Sequence, residues 1–359
     1  RQSAMPNTIS IITPSHGQID WLRLCVASVR DQVKENTERL KSGNLKTENK
    51  NQDFRISEFQ RLSVSVEHII QDAGTPGIEE FAREIGAEFH RNGEIISNQQ
   101  SPISNQQSPI SNQQSPIRNK QSTINNPQSA IGKYTCTVFS ERDRGMYDAI
   151  NRGFERARGE VVAWLNCDEQ YLPGALAFAA DYFSRHVGVD MIFGDAIMLD
   201  EECRPYSYRR VVMPSMDYLR TVSPNLFSCA AFFRRRVVDA GVRLDTQWRI
   251  IGDAVWFHDL LEAGFSARTV RRAVSAFTLT GDNLSTMQEQ SDDEWARWRA
   301  IQDKTPLLPR MALVAMHRMK KMLGGAYRAR TLDVPVFMPN ATTARTVHRG
   351  CKLGSSWSR

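Results

Sequence analysis

The chain has 359 residues, 41% of them hydrophobic and 24% charged, a globular balance that allows one large α/β domain or two small ones and a sizeable core. Its net charge of +6 is unevenly spread: from Thr305 onward there are ten Lys or Arg and one acid, Asp333, a net of +9 that leaves −3 on the remainder. A mildly acidic body argues against a nucleic-acid enzyme, and a basic tail suits an anionic surface.

Six cysteines (Cys25, Cys136, Cys167, Cys203, Cys229 and Cys351) are scattered with no C-x-x-C spacing. Neither a disulfide framework nor a zinc site is implied, and a reducing cytoplasm is the simplest setting. Strand-like sequence begins within the first dozen residues, so no signal-peptide pattern is expected. No apolar run approaches the roughly 20 residues of a membrane span. The expectation is a soluble or peripheral cytoplasmic protein.

In chain order, Thr8 to Thr13 (TISIIT) reads as a buried strand, Pro14 to Gly17 as a loop, and Gln18 to Gln32 as a helix with Leu22, Val26 and Val29 on one face. Residues 34–61 are a polar insertion. A second strand, Ser63 to Gln71, ends at Asp72-Ala73-Gly74-Thr75-Pro76-Gly77. Residues 97–131 repeat with a seven-residue period: SNQQSPI from Ser97, Ser104 and Ser111, then RNKQSTI and NNPQSAI. One apolar position per repeat and a recurring Pro cannot build a coiled-coil seam, nor bury enough surface to offset chain entropy. This stretch is expected to be a disordered insertion.

The run Ser140 to Glu169 concentrates the most information. Val161 to Leu165 is a short apolar strand, and Asn166-Cys167-Asp168-Glu169 places carboxylates where that strand leaves the sheet, the side on which open α/β sheets bind ligands. Upstream lies Ser140-Glu141-Arg142-Asp143-Arg144-Gly145-Met146-Tyr147-Asp148-Ala149-Ile150-Asn151-Arg152-Gly153, followed by Ala157-Arg158-Gly159-Glu160. This ordered pattern resembles family 2 glycosyltransferases. The resemblance covers about Thr8 to Ser285 outside the two insertions. It implies a GT-A (Rossmann-like) fold, a mostly parallel sheet with helices on both faces, occupying residues 1–304. Residues 305–359 form a basic C-terminal extension. Within it, residues 306–323 read equally as a basic amphipathic helix for peripheral membrane contact or as a terminal helix packed on the domain.

The resemblance also implies site residues. Thr13, Pro14 and Ser15 would offer backbone groups to a nucleobase, and Asp72 would contact that base; Ala73 and Pro76 depart from the family pattern. Arg144 and Gly145 precede a helix beginning near Met146, a favourable place for phosphate. Asp148 and Asn151 share a face of that helix, with local capping as their bland alternative. The metal motif departs from D-x-D, with Asn166 first and Asp168 last. Asp168, diphosphate oxygens and waters would suffice for Mg²⁺ or Mn²⁺, with Glu169 supporting from behind. Asp253, opening a helix from Gly252 to Gly264, is the candidate catalytic base, or that helix's N-cap. Asp245 reads as a structural turn residue. Phe227 to Arg235 resembles an acceptor-side region but lacks the family's His-Gln pair. His258 is the histidine of most interest.

The implied function is an inverting transferase taking a nucleotide-diphosphate sugar, UDP-linked, to a saccharide or lipid-linked acceptor in cell-surface polysaccharide or glycolipid synthesis. No nucleic-acid partner is expected. Two rivals stand beside it. A nucleotidyltransferase would want a Lys in the loop after the first strand, where Pro14-Ser15-His16-Gly17 has none. A non-catalytic nucleotide-sugar-binding descendant is suggested by Asn166 and the repeat insertion.

Overall fold

Isoleucines 9, 11 and 12 lose their water on both sides of the first strand, β1 (Thr8–Ser15), which lies in the middle of the main sheet. The computed structural model describes residues 8–42, 64–95, 132–222, 226–281, 283–284, 287–302 and 308–355. The repeat insertion 97–131, and the polar insertion from residue 43 to 61, lie outside the described residues. Helix α1 (Ile19–Ser42) runs ten residues past the expected end at Gln32. No Gly or Pro occurs between Gln18 and Ser42, and Gly43 is the first breaker.

The remaining strands of the main sheet are β2 (Ser65–Asp72), β3 (Glu88–Arg91), β4 (Glu94–Ile95), β5 (Tyr134–Ser140), β6 (Val161–Trp164), β7 (Glu169–Tyr171), β8 (Met191–Leu199), β9 (Pro205–Arg209), β10 (Ala231–Arg234) and β11 (Ala267–Thr278). Their order is β4-β3-β5-β2-β1-β6-β10-β8-β11-β7, with β9 on β8. From β3 to β6 every pair is parallel. β10 then enters antiparallel to both neighbours, while β8 and β11 pair in parallel again. The α/β fold expected from the sequence is therefore present, with its parallel half carrying the strand ends that matter below.

Helices α2 (Ile78–Ile85), α3 (Met146–Arg156) and α4 (Ala175–Arg185) follow strands, as crossover connections require. Tyr147, Ile150 and Phe154 give α3 a buried stripe at i, i+3, i+7. It approaches β1 so closely that a Cβ at Gly153 would stand 2.4 Å from Ile12 Cγ2. Short helices α5 (Met216–Thr221) and α6 (Arg235–Asp239) precede α7 (Gly252–Glu262), and α8 (Gln288–Ala300) and α9 (Arg310–Leu323) follow β11.

An aromatic cluster fixes α7 to the sheet. Trp164 of β6 stacks on Phe233 of β10 at 5.7 Å, and Trp256 of α7 packs on Phe233 at 4.9 Å and on Phe154 of α3 at 5.6 Å. All four side chains are buried. Truncating one to Ala would cost about 3–5 kcal/mol, so the N-terminus of α7 is held firmly.

The C-terminal residues pack as a hairpin, β12 (Arg330–Met338) with β13 (Ala341–Leu353). Val334, Val336, Phe337 and Leu353 are buried against Leu24, Leu172, Ile197 and Tyr208. Gln170 clamps the Phe337 backbone, donating to its carbonyl at 3.0 Å and accepting from its N–H at 2.8 Å. Arg345 donates to Asp31 at 2.7 Å and to the Tyr171 carbonyl at 3.0 Å. The basic charge of this region thus rides partly on an element docked against the sheet.

Candidate active site

Three parallel strands finish level with one another: Ser15 is in register with Asp72, and Asp72 with Ser140. On the other side of β1, Leu165 donates its N–H to Ile12 at 2.9 Å and carries Asn166-Cys167-Asp168 beyond the end of β6. The chain moves from β1 to β2 in one direction and reaches β6 in the other, so β1 and β6 flank a topological switch point, where such sheets form a crevice. Loops tie together around it. Gly17 N–H donates to Thr75 Oγ1 at 2.7 Å, the Cys167 thiol donates to Gln18 Oε1 at 2.9 Å, and His16 lies close enough to Asp143 to influence its ionisation.

The expected nucleobase residues divide by how their polar atoms are used. Thr13 Oγ1 is spent inside the protein, on His68 Nε2 at 2.9 Å, where burial lowers the His68 pKa to about 3 and keeps the ring neutral. Pro14 and Ser15 form the last residues of β1 rather than a loop. Asp72 Oδ2 accepts from the N–H groups of Gly74 and Thr75, both at 2.8 Å, which closes the turn after β2. Its Oδ1 has no partner although buried, and the same holds for Ser15 Oγ.

Arg144 is largely exposed and donates from its guanidinium to Asp148 Oδ1 at 2.9 Å. Gly145 is the residue before α3, with φ 117°, a conformation that favours glycine. Burial pushes the Asp148 pKa up, but Arg144 and Arg152 outweigh it and hold the carboxyl below its ordinary value. Asn151 places both side-chain atoms on the Leu244 backbone, donating at 2.7 Å and accepting at 3.0 Å. Asp148 and Asn151 share a face of α3 as expected, yet both are engaged by the protein. Asp148 orders the Arg144 loop, and Asn151 ties α3 to the segment leading to α7.

Three carboxylates gather near the end of β6. Asp168, half-buried, has its pKa raised by burial to about 6, and Asp253, also half-buried, is raised to about 6 by the same cause. Glu169 is fully buried and pushed well above the carboxylate range, first by burial and then by the charges of Asp168 and Asp253. It accepts the Asn166 N–H at 2.7 Å and the Asn166 amide at 3.3 Å, leaving Asn166 Oδ1 buried and without a partner. Asn283, beyond β11, donates to Asp168 Oδ2 at 2.8 Å.

This donor set fits a hard divalent cation. It combines a carboxylate that is costly to ionise without a counter-charge with an orphaned amide oxygen two residues away. Among the described residues no group of three or more His, Cys, Asp or Glu could hold a metal alone, so a bound ligand and water would have to complete the shell.

Asp253 stands at the start of α7, where its Oδ1 accepts the Ala254 N–H at 2.8 Å, a bond that favours its charged form. Tyr147 donates to the Ile250 carbonyl at 2.9 Å. Its ring lies so near Gly252 that a Cβ there would come within 2.4 Å. From α8, the buried Glu294 accepts three consecutive backbone N–H groups, those of Arg249 (2.8 Å), Ile250 (2.9 Å) and Ile251 (3.1 Å). Glu294, Asn283 and Tyr147 are absent from the sequence-based candidates. Glu294 alone left a trace: an acid beside Trp295 and four residues before Trp298, hence on the buried stripe of α8.

The other candidates are structural. His258 receives a hydrogen bond from Arg220 Nε at 3.1 Å on Nε2, so its proton sits on Nδ1, facing Asp259 at 3.0 Å. Asp245 accepts the Gln247 N–H at 3.0 Å in a turn.

Residues 128–241 match the family described as Glycosyl transferase family 2. A PGL/p-HBAD biosynthesis glycosyltransferase of Mycobacterium bovis (strain BCG / Pasteur 1173P2) is 28% identical over 117 residues, 32% of this chain and 43% of the relative. The chain thus spans less than half the length of the curated relatives it matches. Among solved structures, Staphylococcus aureus TarS 1-349 aligns at 12% identity over 88% of this chain and 72% of its own, with a TM-score of 0.45. The mannosyltransferase PcManGT from Pyrobaculum calidifontis, in complex with GDP-Man and Mn²⁺, aligns at 13% identity over 89% and 71%, also at 0.45.

Proposed function

We propose that this chain is an inverting glycosyltransferase that moves a sugar from a nucleotide-diphosphate donor, a UDP-sugar, to an acceptor hydroxyl of a saccharide or lipid-linked substrate. The setting is cell-surface polysaccharide or glycolipid synthesis at the cytoplasmic face of a membrane. The observation that carries the reading is the set of buried, unpartnered polar atoms at neighbouring strand ends: Ser15 Oγ, Asp72 Oδ1 and Asn166 Oδ1. Other buried atoms of the described residues also lack a partner, among them Tyr171 OH and His317 Nε2, but these three converge on the ends of β1, β2 and β6, where one polar ligand could satisfy them together.

In this reading Asp72 Oδ1 accepts an N–H from the nucleobase, while Oδ2 keeps the turn closed. The Arg144 guanidinium and the N-terminus of α3 face the diphosphate. Asp168 and Asn166 hold Mg²⁺ or Mn²⁺, which when bound would offset the charge on the departing diphosphate. Asp253 takes the acceptor proton. The acceptor oxygen bonds to the anomeric carbon from the face opposite the nucleotide, the bond from that carbon to the phosphate oxygen breaks, and the nucleoside diphosphate leaves with the electron pair. A pKa of about 6 leaves Asp253 ionised but basic enough to act near neutral pH.

A thermal-shift screen of UDP, GDP and their sugars, with and without Mn²⁺, tests the donor site, because a ligand of the folded state raises its stability by mass action. A metal-dependent rise with one nucleotide, followed by release of that nucleotide with acceptor present, supports the proposal. Binding without any turnover favours a non-catalytic sugar-nucleotide binder, and no rise with any nucleotide defeats the donor site altogether.

A further inference from the structure

Helix α9 buries little on its inner side. Leu313 and His317, one turn apart, are its buried side chains, with the His317 ring stacked on Tyr218 at 4.1 Å. The apolar bulk lies on the outside: Met311 is 86% exposed, Met316 48%, Met319 58%, Met322 62% and Leu323 79%, with Leu308 just ahead of the helix at 39%. At about 100° per residue, Met311, Met322, Ala315, Met319, Leu323 and Met316 form one broad exposed apolar face along the helix, with the exposed Arg318 at one edge and Lys320 beyond the other. Between residues 308 and 332 the chain carries Arg310, Arg318, Lys320, Lys321, Arg328 and Arg330 and no Asp or Glu.

We propose that this face of α9 docks on an anionic lipid bilayer. The Met and Leu side chains enter the boundary between headgroups and acyl chains, and the flanking Lys and Arg meet the lipid phosphates. A contiguous exposed apolar face is rare on a soluble surface and marks an interaction site. A stripe of flexible apolar side chains edged by cations is the chemistry of a helix lying in the membrane plane. A second copy of the chain is the poorer occupant, since pairing this face with itself sets Arg318 and Lys320 against like charges with no acid in the segment to relieve them. The proposal uses no residue of the strand-end crevice and stands apart from the transferase reading.

Co-sedimentation of the full chain with phosphatidylcholine vesicles, with and without about one-third phosphatidylglycerol, tests it directly. Binding is expected with the anionic vesicles, weakening as salt rises. Met311→Ser combined with Met319→Ser and Met322→Ser should reduce partitioning by about tenfold or more. Arg318→Gln with Lys320→Gln should reduce it about fivefold per charge. Circular dichroism and melting should be unchanged, because these side chains are exposed. Two results overturn the proposal: equal binding by the triple Met variant and the native chain, or no vesicle binding together with a dimer in analytical ultracentrifugation that the triple variant dissociates.

Discussion

Asp168 and Asp253 make the stability of this protein depend on pH in a direction opposite to that of most surface carboxylates. Both have pKa values raised to about 6 from 3.8, so the folded state holds their protons more tightly than the unfolded state. The favourable contribution is complete below the unfolded value and is lost as pH rises through about 6. A shift of about two units corresponds to roughly 3 kcal/mol for either group, present in full at acid pH and gone by neutral pH. The two are not additive, since Glu169 couples to both. A divalent cation held by Asp168 and Asn166 would reverse the loss, because it binds the ionised form. Its apparent affinity should fall about tenfold for each pH unit below about 6.

The assay is urea unfolding from about pH 5 to about pH 8, in EDTA and in Mn²⁺, for the native chain and Asp168→Asn. In EDTA the native chain should lose stability relative to Asp168→Asn by about 1.5 kcal/mol across that range, about half of the full effect, because the remainder is lost at more acid pH. Excess Mn²⁺ should restore about 2–3 kcal/mol at the alkaline end if present near a hundred times its Kd, and about half as much at the acid end, where its affinity is about tenfold lower. Equal Mn²⁺ stabilisation of the Asn variant would refute the cation site. Parallel pH profiles for the two proteins in EDTA would refute the burial argument itself.

Three further outcomes follow from the same geometry. Asp253→Asn should lower transfer by about 10²–10⁴-fold while nucleotide binding by calorimetry stays near native; unchanged turnover would remove Asp253 as the base. Glu294→Ala strands three backbone N–H groups that now share one buried carboxylate and should cost about 2–4 kcal/mol in urea unfolding, whereas a cost below about 1 kcal/mol would mean the loop before α7 does not depend on it. Gly252→Ala drives a Cβ toward the Tyr147 ring and should cost about 1–3 kcal/mol. It should also displace Asp253, reducing turnover more than nucleotide affinity; a variant with native stability and turnover would contradict the close approach.

Local chemistry accounts for what was readable in advance. β6 is a short apolar run ending in polar residues, and α3 has a clean apolar stripe, so the strand-end crevice could be anticipated from contiguous sequence. The missing parts depend on partners far apart along the chain. Asn283 reaches Asp168 across 115 residues, Glu294 reaches Arg249 across 45, and Arg345 reaches Asp31 across 314. The C-terminal hairpin was legible only as a basic stretch, because β13 is largely polar and its Pro335-containing partner buries a few side chains on a surface made by β8, β9 and α1. Such a surface exists only after folding.

The same distinction decides which motif residues can meet a ligand. Asp72, Asp148, Asn151 and Asn166 are all polar side chains in ordered motif positions, and residue type cannot rank them. Their saturation can. Asp148 has two arginines, and Asn151 has both its atoms on one backbone residue, so neither gains a partner it lacks when a nucleotide arrives. Asp72 spends one oxygen on the backbone of its own turn and Asn166 spends its amide N–H on the Glu169 carboxylate, and each keeps one buried oxygen unused. An unpaired buried oxygen costs on the order of 1–3 kcal/mol, and the fold tolerates two of them at strand ends on either side of β1. A ligand carrying an N–H group and a hard cation would recover that cost at both, which is the chemistry expected of a nucleotide diphosphate bound with its metal.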